Sequence, residues 1–192
     1  NPSAEDFVNA INDVNAENII LLPNNSNIIL AAQQSATPIG IIAHSTKTYA
    51  DPFAYYLRLD KSYNPNYIGN DLFLKMDGRK LYEQVLKNVP LIIEESIQKA
   101  KISITDISKF LIHQANLKMD EAVLTRLFEL YGILEVPQNR MPMTISFLGN
   151  SSVATIPTLI DLIVQGKLQP HAFKKGEHIV MAAMGAGMNI NS

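Results

Sequence analysis

The sequence predicts an α/β domain in which helices lie on the faces of a mixed, mainly parallel sheet. The segments that read as strands are short and mostly apolar on both faces, as in Phe110–Ile112 and Glu177–Ala183. Strands buried on both sides are typical of sheets that helices cover. Between them lie longer segments in which apolar residues recur with the period of a helix. A content of 47% hydrophobic and 18% charged residues supplies enough apolar surface for a folded core.

The first 36 residues are expected to form a helix-strand-helix piece. Phe7, Ile11 and Val14 give one apolar helical stripe. A short apolar strand then ends at Pro23. A second helix follows through residues 31–34.

From residue 38 the pattern changes to alternating strands and helices. Gly40–His44 is predicted to be a strand, and the stretch up to Asp71, rich in Tyr, Asn and Pro, a loop. Asp77 and Gly78 precede a long amphipathic helix that contains a proline. The later elements are a strand at Phe110–Ile112, a helix at Met119–Tyr131 capped by Asn116 or the preceding loop, a strand at Thr144–Phe147, a helix at Val153–Val164 and a final strand at Glu177–Ala183.

Charge and cysteine content exclude several classes of function. A net charge of −2 and a pI near 6.1 give no electrostatic basis for binding nucleic acid or an anionic membrane. We find no apolar run of membrane-spanning length and no signal peptide, so a cytoplasmic location without membrane insertion is expected. The chain has no cysteine, which excludes disulfides, thiolate metal sites and a cysteine nucleophile. Because it begins at Asn1 rather than Met, it reads as a piece of a longer protein.

Two short polar motifs are the strongest indication of function. His113 begins the motif His-Gln-Ala-Asn where an apolar strand ends, and Asn150 lies in Gly-Asn-Ser-Ser just before a helix. Alone, each has an ordinary structural interpretation, as a satisfied histidine and as a turn with an N-cap. Together, in this order, an imidazole and a carboxamide at the ends of neighbouring elements favour a catalytic origin.

The two motifs resemble the His–Asn pair of the ketoacyl-acyl carrier protein synthase III family, a branch of the thiolase fold. Asp77-Gly78 before the proline-containing helix, Pro157 after the Gly-Asn-Ser-Ser loop and the glycine turn near residue 185 follow in family order. This resemblance covers about residues 37–192. Residues 1–36 instead resemble a segment of the dihydroxyacetone-kinase-like fatty-acid kinase large subunit family, with a seam near residues 35–38.

The resemblance implies a thiolase-like half-fold and decarboxylative Claisen condensation of an acyl group with malonyl-carrier protein. His113 and Asn150 would donate hydrogen bonds to the thioester carbonyl and stabilise an enolate. Asn116 would contact the pantetheine arm. Lys118 would meet the acidic carrier protein, although the family more often has arginine there. The acyl site would be lined by Gly185, Ala186 and Gly187.

The family's nucleophile is a cysteine in the other half of the enzyme. We therefore expect this chain alone to be inactive in the full reaction, with slow malonyl decarboxylation at most once a partner half completes the pocket. The expected partners are acyl carrier protein or coenzyme A thioesters and a missing N-terminal half or homodimer mate. No metal is expected, since His44, His171 and His178 lack the spacing of metal ligands. No organic cofactor is expected either, because the substrates of the family are linked to pantetheine.

Two other functions stay open from the sequence. A thiolase half exposes a large apolar sheet surface, so the chain could be a non-catalytic dimerising or interaction module. The kinase-family resemblance of residues 1–36 leaves a lipid-handling role open.

Overall fold

Strands and helices alternate along the part of the chain that the computed structural model describes, residues 40–185 and 187–192. The strands are β1 (Thr46–Thr48), β2 (Leu57–Asp60), β3 (Phe73–Met76), β4 (Ile107–Ile112), β5 (His178–Gly185) and β6 (Asn189–Asn191). The α-helices are α1 (Gly78–Ala100), α2 (Leu117–Leu130), α3 (Ile145–Leu148) and α4 (Thr155–Val164). Single 3-10 turns lie at Pro52–Tyr56, Ile104–Asp106 and Ser152–Ala154.

Four of the strands form one sheet in the order β1-β6-β5-β4, and β2 pairs with β3 apart from it. β4 and β5 run parallel, whereas β6 is antiparallel to both β5 and β1. The prediction of a mixed sheet is confirmed. The expectation that parallel pairs dominate is wrong for the described strands. Gly187 and Met188, with φ of 75° and 52°, turn the chain back after β5 into a hairpin.

Helices cover both faces of the sheet. Successive side chains of β4 point to opposite sides, so they pack against helices on both faces. Phe110 and Ile112 pack into a core with α1 and α2, whereas Leu111 packs into a second core with α4. In the larger core the rings of Phe110 and Phe128 lie 5.7 Å apart, edge to face. The predicted arrangement of helices on the sheet faces is confirmed.

The long helices begin and end close to their predicted bounds. The side chain of Asn116 accepts a hydrogen bond from the Met119 backbone N–H at 2.9 Å and caps α2 as expected. At the end of α1, Lys101 adopts a left-handed conformation, and its N–H donates to the carbonyls of Ile97 and Gln98. Pro90 is buried within α1. The strands at Phe110–Ile112 and Glu177–Ala183 are confirmed as β4 and β5.

Three predicted elements differ from the structure. Gly40–His44 is not a strand, and β1 begins at Thr46 instead. The predicted loop up to Asp71 contains β2 and its 3-10 turn. Thr144–Phe147 is not a strand, since α3 occupies this run. Periodicity cannot separate a strand from a helical turn over a run of only four residues, which explains the last error.

Residues Ser45–Ser192 form one compact unit. The predicted helix-strand-helix piece in residues 1–36 lies outside the described residues. Among the described helices we find none long and apolar enough to cross a membrane.

Candidate functional site

His113 follows β4 directly and stands at the carboxyl end of the parallel strand pair. Its backbone N–H donates to the carbonyl of Ala182 on β5 at 2.8 Å, which extends the ladder by one residue. The side chain is half-buried. Burial lowers the pKa of the imidazole, and a hydrogen bond between the ring and the backbone of Ser152 opposes this shift. Burial is the larger cause, so the environment favours the neutral form of the imidazole.

Asn150 lies in a tightly turned loop between α3 and α4. Gly149 has φ of 68° and ψ of −163°, a conformation open essentially only to glycine. The Asn150 Oδ1 accepts the Ser152 backbone N–H at 2.8 Å, and Ser152 itself has a φ of 52°. With its oxygen engaged, the exposed carboxamide keeps its N–H groups without a partner among the described residues.

The structure places both predicted catalytic residues beside Ser152. The His113 ring contacts the backbone of this residue, whose N–H in turn holds the Asn150 side chain. The positive φ of Ser152, a residue that is not glycine, is typical of segments whose conformation serves a function. A neutral imidazole N–H and a carboxamide N–H are both suited to donate to a developing oxyanion.

Gln114 is a site residue to which sequence reasoning assigned no role. Its side chain is only 1% exposed. Its Nε2 donates to the carbonyl of Pro142 at 2.9 Å, and its Oε1 accepts the backbone N–H of Thr144 at 2.8 Å. The sequence signal that could have identified Gln114 is a carboxamide just after an apolar strand, where a buried polar group requires hydrogen-bond partners.

Asn116 and Lys118 lie at the start of α2, beside the histidine strand. The Oδ1 of Asn116 is engaged in capping the helix. Lys118 is exposed in the first helical turn and forms no ion pair with any described residue. Both residues are accessible next to the site.

The predicted acyl-site glycines lie at the end of β5 and in the turn that follows. A Cβ added to Gly185 or Gly187 would meet no atom within 4 Å. At Gly187 the positive φ of 75° accounts for the glycine. At Gly185 neither torsion nor described packing requires one. Ala186 lies outside the described residues.

Asp120 is a second residue that the sequence analysis did not single out. It is 1% exposed in the first turns of α2, and neither carboxylate oxygen has a hydrogen-bond partner among the described side chains. Burial raises its pKa to about 7, and the backbone of Ala115 opposes this shift. The available signal was an aspartate on the apolar stripe that continues through Val123 and Leu127.

Metal binding has no structural support within residues 40–185 and 187–192. No group of three His, Asp or Glu side chains there is arranged to hold an ion. His171 is partly buried, and both burial and the charge of Lys109 lower its pKa. Lys109 instead forms a partly buried ion pair with Glu177 at 3.2 Å.

Two family models match the chain. One, described as the C-terminal part of 3-oxoacyl-(acyl-carrier-protein) synthase III, matches residues 97–192. The other describes the C-terminal part of proteins like the A subunit of fatty acid kinase, and it matches residues 1–63. Both predicted resemblances are therefore confirmed. The boundary at residue 36 stays a prediction.

Individual relatives agree with the first model. Beta-ketoacyl-(acyl-carrier-protein) synthase III of Porphyra umbilicalis is 33% identical over 116 residues, which cover 60% of this chain and 32% of that protein. The enzyme of the same name from Lactobacillus helveticus is 28% identical over 142 residues, covering 71% of this chain and 40% of the relative. The chain thus spans about a third to two fifths of the curated relatives' length.

Solved structures agree with the fold. The 3-oxoacyl-(acyl carrier protein) synthase III of Pseudomonas aeruginosa superposes with a TM-score of 0.62 at 20% identity, over 79% of this chain and 42% of that one. The Aquifex aeolicus enzyme gives 0.59 at 26% identity, over the same shares. The thiolase-like fold class is therefore confirmed. Since the synthase model matches half of the chain, this protein belongs to the 3-oxoacyl-(acyl-carrier-protein) synthase III family through its C-terminal domain.

Proposed function

We propose that the chain is the malonyl-binding half of a synthase III-type condensing enzyme, with His113 and Asn150 as catalytic donors. One observation carries this proposal: the His113 ring contacts the backbone of Ser152, in the same turn that holds Asn150. Both residues, 37 positions apart in sequence, therefore lie beside Ser152, and this supports a shared site. Family membership supplies the reaction class.

The proposed step is decarboxylation of a malonyl thioester. The bond between the α-carbon and the carboxylate breaks, carbon dioxide leaves, and the electron pair moves onto the thioester oxygen. Donors already aimed at that oxygen lower the barrier because they need not reorganise as the charge develops. A neutral imidazole has a single N–H. The His113 N–H therefore leaves its Ser152 contact when substrate binds, and it donates to the thioester oxygen before the charge develops.

The neighbouring residues receive supporting roles in this proposal. Asn116 contacts the pantetheine arm with its amide group, while its oxygen continues to cap α2. Lys118 offers an exposed positive charge to an acidic acyl carrier protein or to a coenzyme A phosphate. The acyl chain passes beside Gly185 and Gly187 in this proposal, where an added Cβ would meet no described atom within 4 Å.

The complete condensation requires an acyl group on a nucleophile that this chain does not supply. The sequence contains no cysteine, and within the described part of the chain no base forms a hydrogen bond with the hydroxyl of Ser151 or Ser152 that would activate it. We therefore assign slow decarboxylation to the chain once a partner half completes the pocket. The acyl transfer belongs to the second chain that carries the cysteine half. A cytoplasmic location and a dimeric state complete the proposal.

Calorimetry with malonyl-pantetheine thioester tests the proposed function. The wild-type chain is expected to bind, and His113→Ala and Asn150→Ala each to weaken binding by roughly tenfold or more. Asn191→Ala, an exposed carboxamide on β6, serves as the control and is expected to bind like wild type. Absence of wild-type binding, or equal binding by all four proteins, contradicts the proposal.

A non-catalytic interaction module is the second candidate, and exposed apolar side chains favour it. Val153 is 92% exposed and Phe147 61% exposed on either side of the Asn150 loop, while Leu134 is 84% exposed. Apolar groups exposed to this degree are typical of surfaces that a partner covers. Concentration-dependent sedimentation without malonyl-pantetheine binding would support this candidate. Fatty-acid binding without pantetheine binding would support the lipid-handling role that the match over residues 1–63 leaves open.

A further inference from the structure

The side chain of Gln114 joins two segments that lie about thirty residues apart in sequence. Its Nε2 donates to the Pro142 carbonyl at 2.9 Å. Its Oε1 accepts both the backbone N–H of Thr144, at 2.8 Å, and the hydroxyl of Thr144, at 3.1 Å. With 1% exposure, the carboxamide has no water to replace these partners, so losing them leaves buried polar groups unpaired.

Thr144 is the starting point of the asparagine loop. Its carbonyl accepts the N–H groups of Phe147 and Leu148 at 3.1 and 2.9 Å, which closes α3. The N–H of Gly149 then donates to the Ile145 carbonyl at 3.1 Å, and Asn150 follows. A continuous hydrogen-bonded path therefore runs from the Gln114 carboxamide to the residue before Asn150.

At its other end, Gln114 is attached to the histidine. It follows His113 in sequence, and the His113 backbone is fixed to β5 by the hydrogen bond to Ala182. This bond fixes His113 to the parallel strand pair β4 and β5. The Gln114 side chain then connects the Asn150 loop to the same strand pair.

We propose that Gln114 is a positioning residue that sets the placement of the Asn150 loop relative to the His113 ring. The assignment rests on the proposed function for its consequence in catalysis. The hydrogen bonds from Gln114 to Pro142 and Thr144 are present in the unliganded chain, so their effect on the loop is tested without substrate.

Separate contacts keep the fold when this link is removed. The Arg140 carbonyl accepts the backbone N–H of Phe110 at 2.8 Å, and the Arg140 guanidinium donates to the Ile107 carbonyl. These bonds hold the segment before Pro142 against β4 independently of Gln114. We therefore expect Gln114→Met, which keeps the length and much of the volume of the side chain, to fold with a displaced loop.

The test is an NMR titration of the His113 ring in the full chain. In wild type, burial holds the pKa of this imidazole below its ordinary value. In Gln114→Met the displaced loop lets water reach the His113 imidazole. The pKa of this imidazole is therefore expected to rise towards about 6.5. Asn88→Leu is the matched control. It removes a buried carboxamide of α1 that donates to Gln84 and lies outside the loop, so the pKa of His113 is expected to stay at the wild-type value.

A purely structural role would lower the stability of both variants without moving the His113 titration. The proposal is overturned if Gln114→Met titrates like wild type, or if Asn88→Leu shifts the His113 pKa equally. Should Gln114→Met not fold, Thr144→Val removes only the hydroxyl contact at 3.1 Å and is expected to give a smaller shift in the same direction. An unchanged titration in that variant then overturns the proposal.

Calorimetry of the same variants separates this inference from the proposed function. Weaker malonyl-pantetheine binding in Gln114→Met, by roughly tenfold, together with the shifted titration supports both. A shifted titration in a chain whose wild type does not bind malonyl-pantetheine supports the positioning role and contradicts the proposed function.

Discussion

Replacing Asp120 by asparagine is expected to remove a pH-dependent loss of stability. The carboxyl group is 1% exposed, and its oxygens have no hydrogen-bond partner among the described side chains. Burial raises its pKa from 3.8 to about 7 in the folded chain. Because the folded state holds the proton more tightly than the unfolded state, Asp120 costs nothing below pH ~4 and destabilises the fold progressively up to pH ~7.

The magnitude follows from the size of the shift. At about 1.4 kcal/mol per pH unit, the change from 3.8 to about 7 corresponds to roughly 4 kcal/mol of unfolding free energy. This is a large part of the total stability of a typical domain. Asp120→Asn is neutral at every pH and nearly the same size, so it keeps the shape of the site and removes the ionisation.

Urea unfolding of wild type and Asp120→Asn at pH ~5 and pH ~8 measures the effect. We expect the variant to gain stability relative to wild type as pH rises, by a few kcal/mol over this range. Asp161→Asn, at an exposed position of α4, is the control and is expected to show no such gain. Parallel stability curves for wild type and Asp120→Asn would refute the reasoning that this carboxyl group ionises in a buried, unpaired state.

Three further changes have defined outcomes. Gly149→Ala forces a Cβ into a conformation that only glycine adopts readily, so it is expected to lower the free energy of unfolding in urea by about 1–3 kcal/mol and to weaken malonyl-pantetheine binding. Gly132→Ala is the control, since Gly132 also has a positive φ and open space beside it; this variant is expected to lose stability but to bind malonyl-pantetheine like wild type. Lys118→Glu is expected to weaken binding to acyl carrier protein with unchanged affinity for malonyl-pantetheine; equal loss of both would contradict a carrier-protein role. Lys109→Met removes the cation beside Glu177, whose carboxylate keeps the Lys174 backbone N–H as a partner, and is expected to cost about 1–3 kcal/mol. Arg79→Met, from an exposed pair with Glu83, is expected to cost less than about 1 kcal/mol.

The long helices could be predicted because many turns repeat one apolar stripe. In α2, Val123 and Leu127 mark the buried face and Asn116 marks the first turn, so both the element and its start are local properties. The run Thr144–Phe147 is too short for that argument, and the backbone N–H of Thr144, at its start, donates to the Gln114 carboxamide. That contact spans thirty residues and cannot be read from neighbouring positions.

The candidate site divides in the same way. His113 and Asn150 could be singled out because their residue types and order carry chemistry in the sequence. Their joining through Ser152 is a tertiary contact with no local signal. β6 pairs antiparallel with β5 because the chain reverses at Gly187 and Met188. The glycine in the sequence indicated a turn, but it did not indicate which strand would pair after it.

The direct test of the His113 and Asn150 donor pair is the ¹³C NMR signal of a malonyl-pantetheine labelled at the thioester carbonyl. When the wild-type chain is saturated, hydrogen bonds from both residues are expected to move this signal downfield of the free thioester. In His113→Ala and in Asn150→Ala the displacement is expected to shrink. A bound wild-type signal at the position of the free thioester would contradict the assignment of these two residues as the donors.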